Sequence, residues 1–293
     1  MTSPSIRLNN VHTRIVVDSS SNVPASLLAQ YRMFEVPTLI NFGGDSFRNH
    51  LDLTSEQFYA RFTQSQTLPT TSQPPPQFFA DAYQQAFAEG AEQILVVTVS
   101  AKFSGTFTSA QMAAQAFGLE RFTLWDSDSA SIGSGWQALA AARMVAAGLD
   151  WATLQQRLEK IRSHTLIYAT LETLKYAARS GRVSNLQAGI GDLLQVKPVM
   201  ELRHGQFAPI GRVRTRKRAV RDVLERFHAH VGDRPVNAAV AHSQAGDEAA
   251  ALAQAAGALL NVQEMHIVDI GPAIACLTGP GVLALCGHPA DLF

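Results

Sequence analysis

Cysteine is nearly absent from this chain. Its 293 residues hold two, Cys276 and Cys286. A pair this sparse builds no disulfide framework, and its spacing fits no metal motif. Both read as small buried thiols. Excess charge of either sign is also missing, with 24 Lys and Arg against 24 Asp and Glu. Chains that wrap nucleic acid usually carry a basic surplus, so no nucleic-acid partner is expected. No window approaches the about 18 uninterrupted apolar residues that mark a membrane span. The polar opening MTSPSIRLNN lacks the apolar stretch of a secretion signal. Together these absences predict a cytoplasmic protein with reduced thiols, no metal, no cofactor and no integral membrane segment.

What is present is a globular balance. Hydrophobic residues make up 46% and charged residues 16%, enough to bury a sizeable core. The length suits one large domain or two ordinary ones. Short apolar runs alternate with amphipathic ones through the first half. Strands are expected at Arg14–Val17, Phe34–Ile40, Ile94–Val99 and Phe122–Trp125. The continuous β-branched run at Ile94–Val99 fits a strand covered on both faces, as in a parallel sheet. Helices are expected after Asn22, from Thr54 or Ser55 to Phe62, from the Pro-rich Thr71–Pro76 to Ala88, from Ser104 to Gly118, and after Gly133–Gly135. This rhythm predicts a doubly wound α/β domain with sites at the C-terminal ends of its strands.

The second half reads differently. A helix capped by Asp150 leads to a strand at Leu166–Thr170, and a further helix breaks at Ser180–Gly181. Val196–Arg203 and Gln206–Val213 flank His204–Gly205 as an antiparallel hairpin. A basic helix Thr215–His230, a strand Val236–Ala241, a helix Asp247–Leu260 and a strand Met265–Ile270 follow. The expected organisation is an α/β Rossmann-like domain over residues 1–165 and an α+β domain with a mixed or antiparallel sheet over 166–293.

Several constellations bear chemistry. Ser104-Gly105-Thr106 follows a buried strand and opens a helix. Free amides and the helix dipole favour an anion there, but taken alone Ser104 reads first as a plain helix cap. Thr70-Thr71-Ser72-Gln73-Pro74 also feeds a helix start. Asp126-Ser127 with Gly133-Ser134-Gly135 matches neither a Walker A nor a GxGxxG pattern and reads as a close-packing turn. Arg182, beside Gly181, can reach across a cleft or simply lie exposed. Arg212, Arg214, Arg216, Lys217, Arg218 and Arg221 form a basic cluster, read as a solvated face or a docking patch. Thr278-Gly279-Pro280-Gly281 is a tight turn.

Taken in order, these segments resemble the DegV family over essentially the whole chain. The matching stretches are VVDSSSNVP (16–24), TSQPPP (71–76), SAKFSGTFTSA (100–110), DSDSASIGSG (126–135), LETLKYAARSGRVS (171–184), LLQVKPVMELRHGQFAPIGRVRTRKRA (193–219) and TGPG (278–281). The resemblance implies a non-catalytic carrier of a long-chain fatty acid of the palmitate, stearate or oleate type. Such a carrier presents its ligand to a separate kinase in a bacterial fatty-acid kinase system. By motif position, Thr71 and Ser104 would hold the carboxylate. Ser72, Gly105, Arg182, Thr278 and Gly279 would support the head group, and Arg214, Arg216 and Arg218 would meet the kinase. Two positions depart from the family pattern. Leu277 stands where the family has histidine before TGPG, and Ser180-Gly181 replaces a glycine pair.

The energetics are consistent. Burying roughly 14 methylenes gains about 11 kcal/mol at about 0.8 kcal/mol each, before the cost of ordering the chain. The hydroxyls then fix orientation, since a buried carboxylate must be hydrogen-bonded. The competing reading is a serine-dependent acyl hydrolase or transferase using Ser104, with His164, His242 or His266 as base. The sequence around Ser104 is no GxSxG elbow. A nucleotide-binding protein and a basic-helix DNA regulator lack their motifs.

Overall fold

The structure, a computed structural model, describes residues 8–9, 11–65, 67–183 and 196–292. The strands of the first half are β1 (Thr13–Asp18), β2 (Phe34–Val36), β3 (Leu39–Phe42), β4 (Asp45–Arg48), β5 (Thr70–Ser72), β6 (Gln93–Thr98) and β7 (Phe122–Asp126). Its helices are α1 (Ala25–Gln30), α2 (Ser55–Gln64), α3 (Pro76–Ala88), α4 (Thr106–Gln115), α5 (Ile132–Ala146) and α6 (Trp151–His164). The second half adds β8 (Leu166–Thr170), α7 (Lys175–Ser180), β9 (Lys197–Arg203), β10 (Gln206–Val213), α8 (Arg216–Val231), β11 (Val236–His242), α9 (Gly246–Leu259), β12 (Val262–Asp269), α10 (Gly271–Thr278) and β13 (Leu283–Pro289).

Alternation of side chains along the strands builds a stack of five layers. The order β2-β1-β6-β7 forms a parallel sheet. Val16, Ile94 and Val96 face α3 and α4, where Phe79 and Tyr83 bury their rings. Ile15, Val17, Leu95 and Val97 face the other way, onto α5 and α6. A second sheet runs β10-β9-β8-β13-β11-β12, antiparallel except for the β11–β12 pair. Ile167, Ala169, Ala239 and Cys286 turn toward the α5 side, and Leu166, Tyr168, Val240 and Leu285 pack under α8 and α9. A small antiparallel sheet, β4-β3-β5, sits beside this stack and buries Ile40 against Phe58 and Phe62 of α2. The fold is thus a parallel α/β half joined to an α+β half with a mixed sheet. Among the described residues, no helix is long and apolar enough to cross a membrane.

Several local expectations fail for physical reasons. Phe34–Ile40 is not one strand. Pro37 interrupts it, the Thr38 amide donates to Ser19 Oγ at 3.0 Å, and the chain leaves the parallel sheet for the small one. Asn22 does not cap α1; it takes a left-handed conformation with φ of 51° and accepts from Ser131 Oγ at 2.8 Å. Gly133 and Gly135 lie inside the first turn of α5 rather than ahead of it. A Cβ on Gly135 would fall 2.6 Å from the Ser21 carbonyl oxygen, so glycine lets α5 press against the turn after β1. Helix α10 and the central strand β13 were not anticipated. Ser184 and Leu193–Gln195, at the ends of two motif segments, lie outside the described residues.

Candidate functional site

In the parallel sheet, neighbours β1 and β6 are reached by connections that run in opposite directions, which opens a crevice beyond their C-terminal ends. Asp18 closes the crevice floor. Its carboxyl accepts from the Ser20 amide at 3.0 Å and, across the crevice, from the Val99 amide at 2.8 Å, with the Ser20 hydroxyl as a third donor. Full burial pushes the Asp18 pKa up, with the hydrogen bonds opposing it.

Above this floor lies a cavity of about 690 Å³, within the about 300–1,000 Å³ range of small-molecule sites. Its two ends differ. One is polar, made by Thr71, Ser72 and Gln73 on and after β5 and by Ser104, Gly105 and Thr106 at the start of α4. Ser20, Thr38 and Ser131 complete that end. The opposite wall is the inner face of the mixed sheet, with Ile167, Ala169, Met200, Ala241, Ala284 and Cys286. Ala169 lies opposite Met200 on one side and Ala284 on the other, and Ala284 lies opposite Ala241. Three adjacent alanines form a trough across the sheet. Burial pushes the Cys286 thiol up and the Cys276 thiol to about 12, so neither is a thiolate at neutral pH.

The polar end suits an anion. Pairing with Ile40 of β3 fixes the backbone of Thr71, whose side chain is half-buried. The Ser72 hydroxyl accepts from Asn41 Nδ2 at 2.9 Å. Ser104 Oγ lies 2.8 Å from Thr106 Oγ1 and accepts from the Thr106 amide at 3.3 Å. When buried Thr106 donates its own proton to Ser104 Oγ, the Ser104 proton is left to point into the cavity. The start of α4, and that of α5 at Ser131 and Ile132, both border the cavity, so two helix dipoles favour negative charge there.

The halves meet around this end. The β9–β10 turn, His204-Gly205, has both residues at positive φ and lies on the loop that carries Ser104. Lys102 Nζ donates to the His204 carbonyl at 2.6 Å and pairs with Asp128 at 3.0 Å. The Phe103 and Phe207 rings pack at a tilt of 35° with centroids 5.8 Å apart.

The remaining expected site residues fall in three places. Arg182 is exposed and Thr278 half-buried, and both border the cavity, as does Leu277. The Thr278 hydroxyl is spent on the Ile274 carbonyl at 3.0 Å. Gly279 is absent from the cavity wall; at φ 76° a Cβ there would lie 2.2 Å from the Tyr176 ring, so its role is to admit that ring. Arg214, Arg216 and Arg218 lie far along the chain at the β10–α8 corner. Arg214 lies before the first turn of α8. Arg216 is held by Glu248 through bonds of 2.9 and 3.1 Å, and Arg218 lines a shallow groove with Arg212, Lys217 and Arg221. None of His164, His242 and His266 borders the cavity: His164 binds the Lys160 carbonyl and His266 binds Glu264. Gln73 and Lys102 stood within the quoted motifs, but nothing in the sequence marked them out.

A parallel sheet, a mixed sheet and a small antiparallel sheet together border an apolar cavity with a hydroxyl-lined end, an α/β architecture built around a small-molecule site. A family model described as an uncharacterised protein of the DegV family matches residues 12–289, and the chain belongs to that family. A DegV domain-containing protein of Deinococcus radiodurans is 33% identical, covering 94% of this chain and 98% of its own. A DegV family protein of Thermus thermophilus, solved as a case of fatty-acid binding, is 33% identical with a TM-score of 0.88, covering 95% of this chain and 99% of its own. DegV of Bacillus subtilis, described as a fatty acid binding protein, is 27% identical with a TM-score of 0.85, again covering 95% and 99%.

Proposed function

We propose that this protein is a cytoplasmic carrier that binds one long-chain fatty acid and presents it to a separate fatty-acid kinase for acyl-phosphate formation. The observation that carries this reading is the junction, within one cavity, of a hydroxyl-lined end and an alanine trough. The acid lies between lobes formed by residues 1–165 and 166–293. Its carboxylate takes hydrogen bonds from Thr71 and Ser104, beside the helix N-termini, and its tail runs over Ala169, Ala284 and Ala241. Leu277 brings no imidazole to the head group, so hydroxyls and helix N-terminal amides hold the anion, with Lys102 and Arg182 as the cations that border the cavity. Arg182 stands at the rim. The kinase docks at the β10–α8 corner, where Arg214 and Arg218 are exposed and Arg216 braces the corner through Glu248.

Tails of the palmitate, stearate or oleate type match the burial energy, at about 0.8 kcal/mol per methylene. Protein purified from a bacterial host should release about one equivalent of fatty acid on denaturation and organic extraction, a burial-driven stoichiometry. Lipid-free native mass spectra, together with no binding of added palmitate or oleate, would sink the reading. Acyl phosphate should form only when carrier, kinase and ATP are combined.

A further inference from the structure

Thr71 and Ser104 come from different elements, β5 and the start of α4, and no backbone pairing links β5 to α4 among the described residues. One side chain joins them. Gln73, one residue beyond β5, donates from Nε2 to Ser109 Oγ at 2.9 Å, and Ser109 is buried at the end of the first turn of α4. On its way the carboxamide lies against Gly105. A Cβ built on Gly105 would fall 1.9 Å from Gln73 Oε1 and 2.9 Å from Nε2. The backbone gives no reason for glycine there, since φ is −75° and ψ is 9°, values open to any residue. Only space argues for it: the atoms a Cβ would meet are the carboxamide end of Gln73, which a side chain at 105 would push from its place.

We propose that Gln73 is a positioning residue that sets the separation of the Thr71 and Ser104 hydroxyls, with Gly105 as its seat. This rests on the carrier reading, because it assigns a purpose to the spacing of the two carboxylate donors. A carboxylate accepting from two fixed donors is sensitive to their separation, because hydrogen bonds weaken steeply with distance and angle. An alcohol head group, with one oxygen and no charge, is far less so. Gln73 therefore governs discrimination between acid and alcohol more than affinity for the tail.

The test is a double-mutant cycle on the full chain, with palmitate and hexadecanol as probes in titration calorimetry and thermal melts alongside. Gln73→Ala should weaken palmitate about tenfold, equivalent to about 1.4 kcal/mol, and leave hexadecanol within about twofold, a gap of no more than about 0.4 kcal/mol. Gly105→Ala should weaken palmitate comparably in the native background. In the Gln73→Ala background it should add less than about twofold, because the clash is gone and coupled neighbours do not add. Equal loss of palmitate and hexadecanol would reduce Gln73 to a structural strut. Additive single effects would remove the seat. Either result overturns this proposal while wild-type palmitate binding leaves the carrier reading standing. A wild-type protein that binds no palmitate overturns both.

Discussion

The polar end of the cavity is assembled from loops that follow parallel strands and from β5 of the small sheet, whereas its apolar wall is the inner face of a mostly antiparallel sheet. The loops carry particular residues at particular places: Ser104 depends on buried Thr106, and Gly105 on Gln73. The wall asks only for small size in a row, met by Ala169, Ala284 and Ala241. On the carrier reading, the contrast makes head-group recognition geometric and tail recognition volumetric. Substitutions at the two ends should therefore fail in different ways.

The largest effect is expected at the head. Hydrogen bonds to a charged group contribute about 1.5–3 kcal/mol each, so Thr71→Ala with Ser104→Ala should weaken palmitate by about 100-fold or more. Hexadecanol should lose far less, and kinase-dependent acyl-phosphate formation should collapse. Equal losses for acid and alcohol would break the contrast between the ends.

The second prediction concerns pH and the wall's support. His288, on β13 beside Trp136, is fully buried, and that burial holds its pKa down to about 4. The unfolded chain takes up this proton near pH 6.5, whereas the folded protein resists it until about 4. The native state thus binds fewer protons in that window, so stability falls as the pH drops from about 6.5 to about 4, by about 3 kcal/mol at most. Asp18, under the head, carries the opposite sign. Its raised pKa gives a contribution that is full below the ordinary carboxylate value and fades as pH rises through the folded one. Urea melts of the wild type and His288→Gln at pH 7 and 5 should show the loss in the wild type and a flatter response in the variant.

Third, Ala284→Leu narrows the trough. Displacing two or three methylenes at about 0.8 kcal/mol each should cost palmitate about 2 kcal/mol, roughly 30-fold, with shorter acids losing less. A loss independent of chain length would place the tail elsewhere. The smallest effect is expected at Lys102, which joins the two halves at the polar end. Its pair with Asp128 is exposed, so Lys102→Ala should cost no more than about 1 kcal/mol in a denaturant melt. A larger loss would show that the hairpin tip helps hold the head in place.

These ends also differ in how well the sequence reveals them. The family resemblance picks out Thr71, Ser72, Ser104, Gly105, Arg182 and Thr278 by motif position, and all six border one cavity. The trough left no such trace. An alanine in a buried strand looks like any other, and only the strand order β9-β8-β13-β11 brings Ala169, Ala284 and Ala241 side by side. Strand β13 was missed because LALCGHP carries glycine and proline, which argue against a central strand. Gln73 was invisible for a related reason: its meaning lies in a missing Cβ at Gly105, across two elements. Arg216 looked free in the basic cluster, but its partner Glu248 sits on α9, beyond local pattern.

One element links these observations. Helix α5 is buried along nearly its whole length, from Ile132 to Val145, because it serves as the common filling between two sheets. An amphipathic helix can leave one face in water; this one has no such face to spare. Neither half of the molecule can keep its order if the other lets go of α5. The protein should accordingly unfold as a single cooperative unit, with one calorimetric transition despite two sheets of different kind. The cavity, enclosed by both, would then persist or vanish with the molecule as a whole.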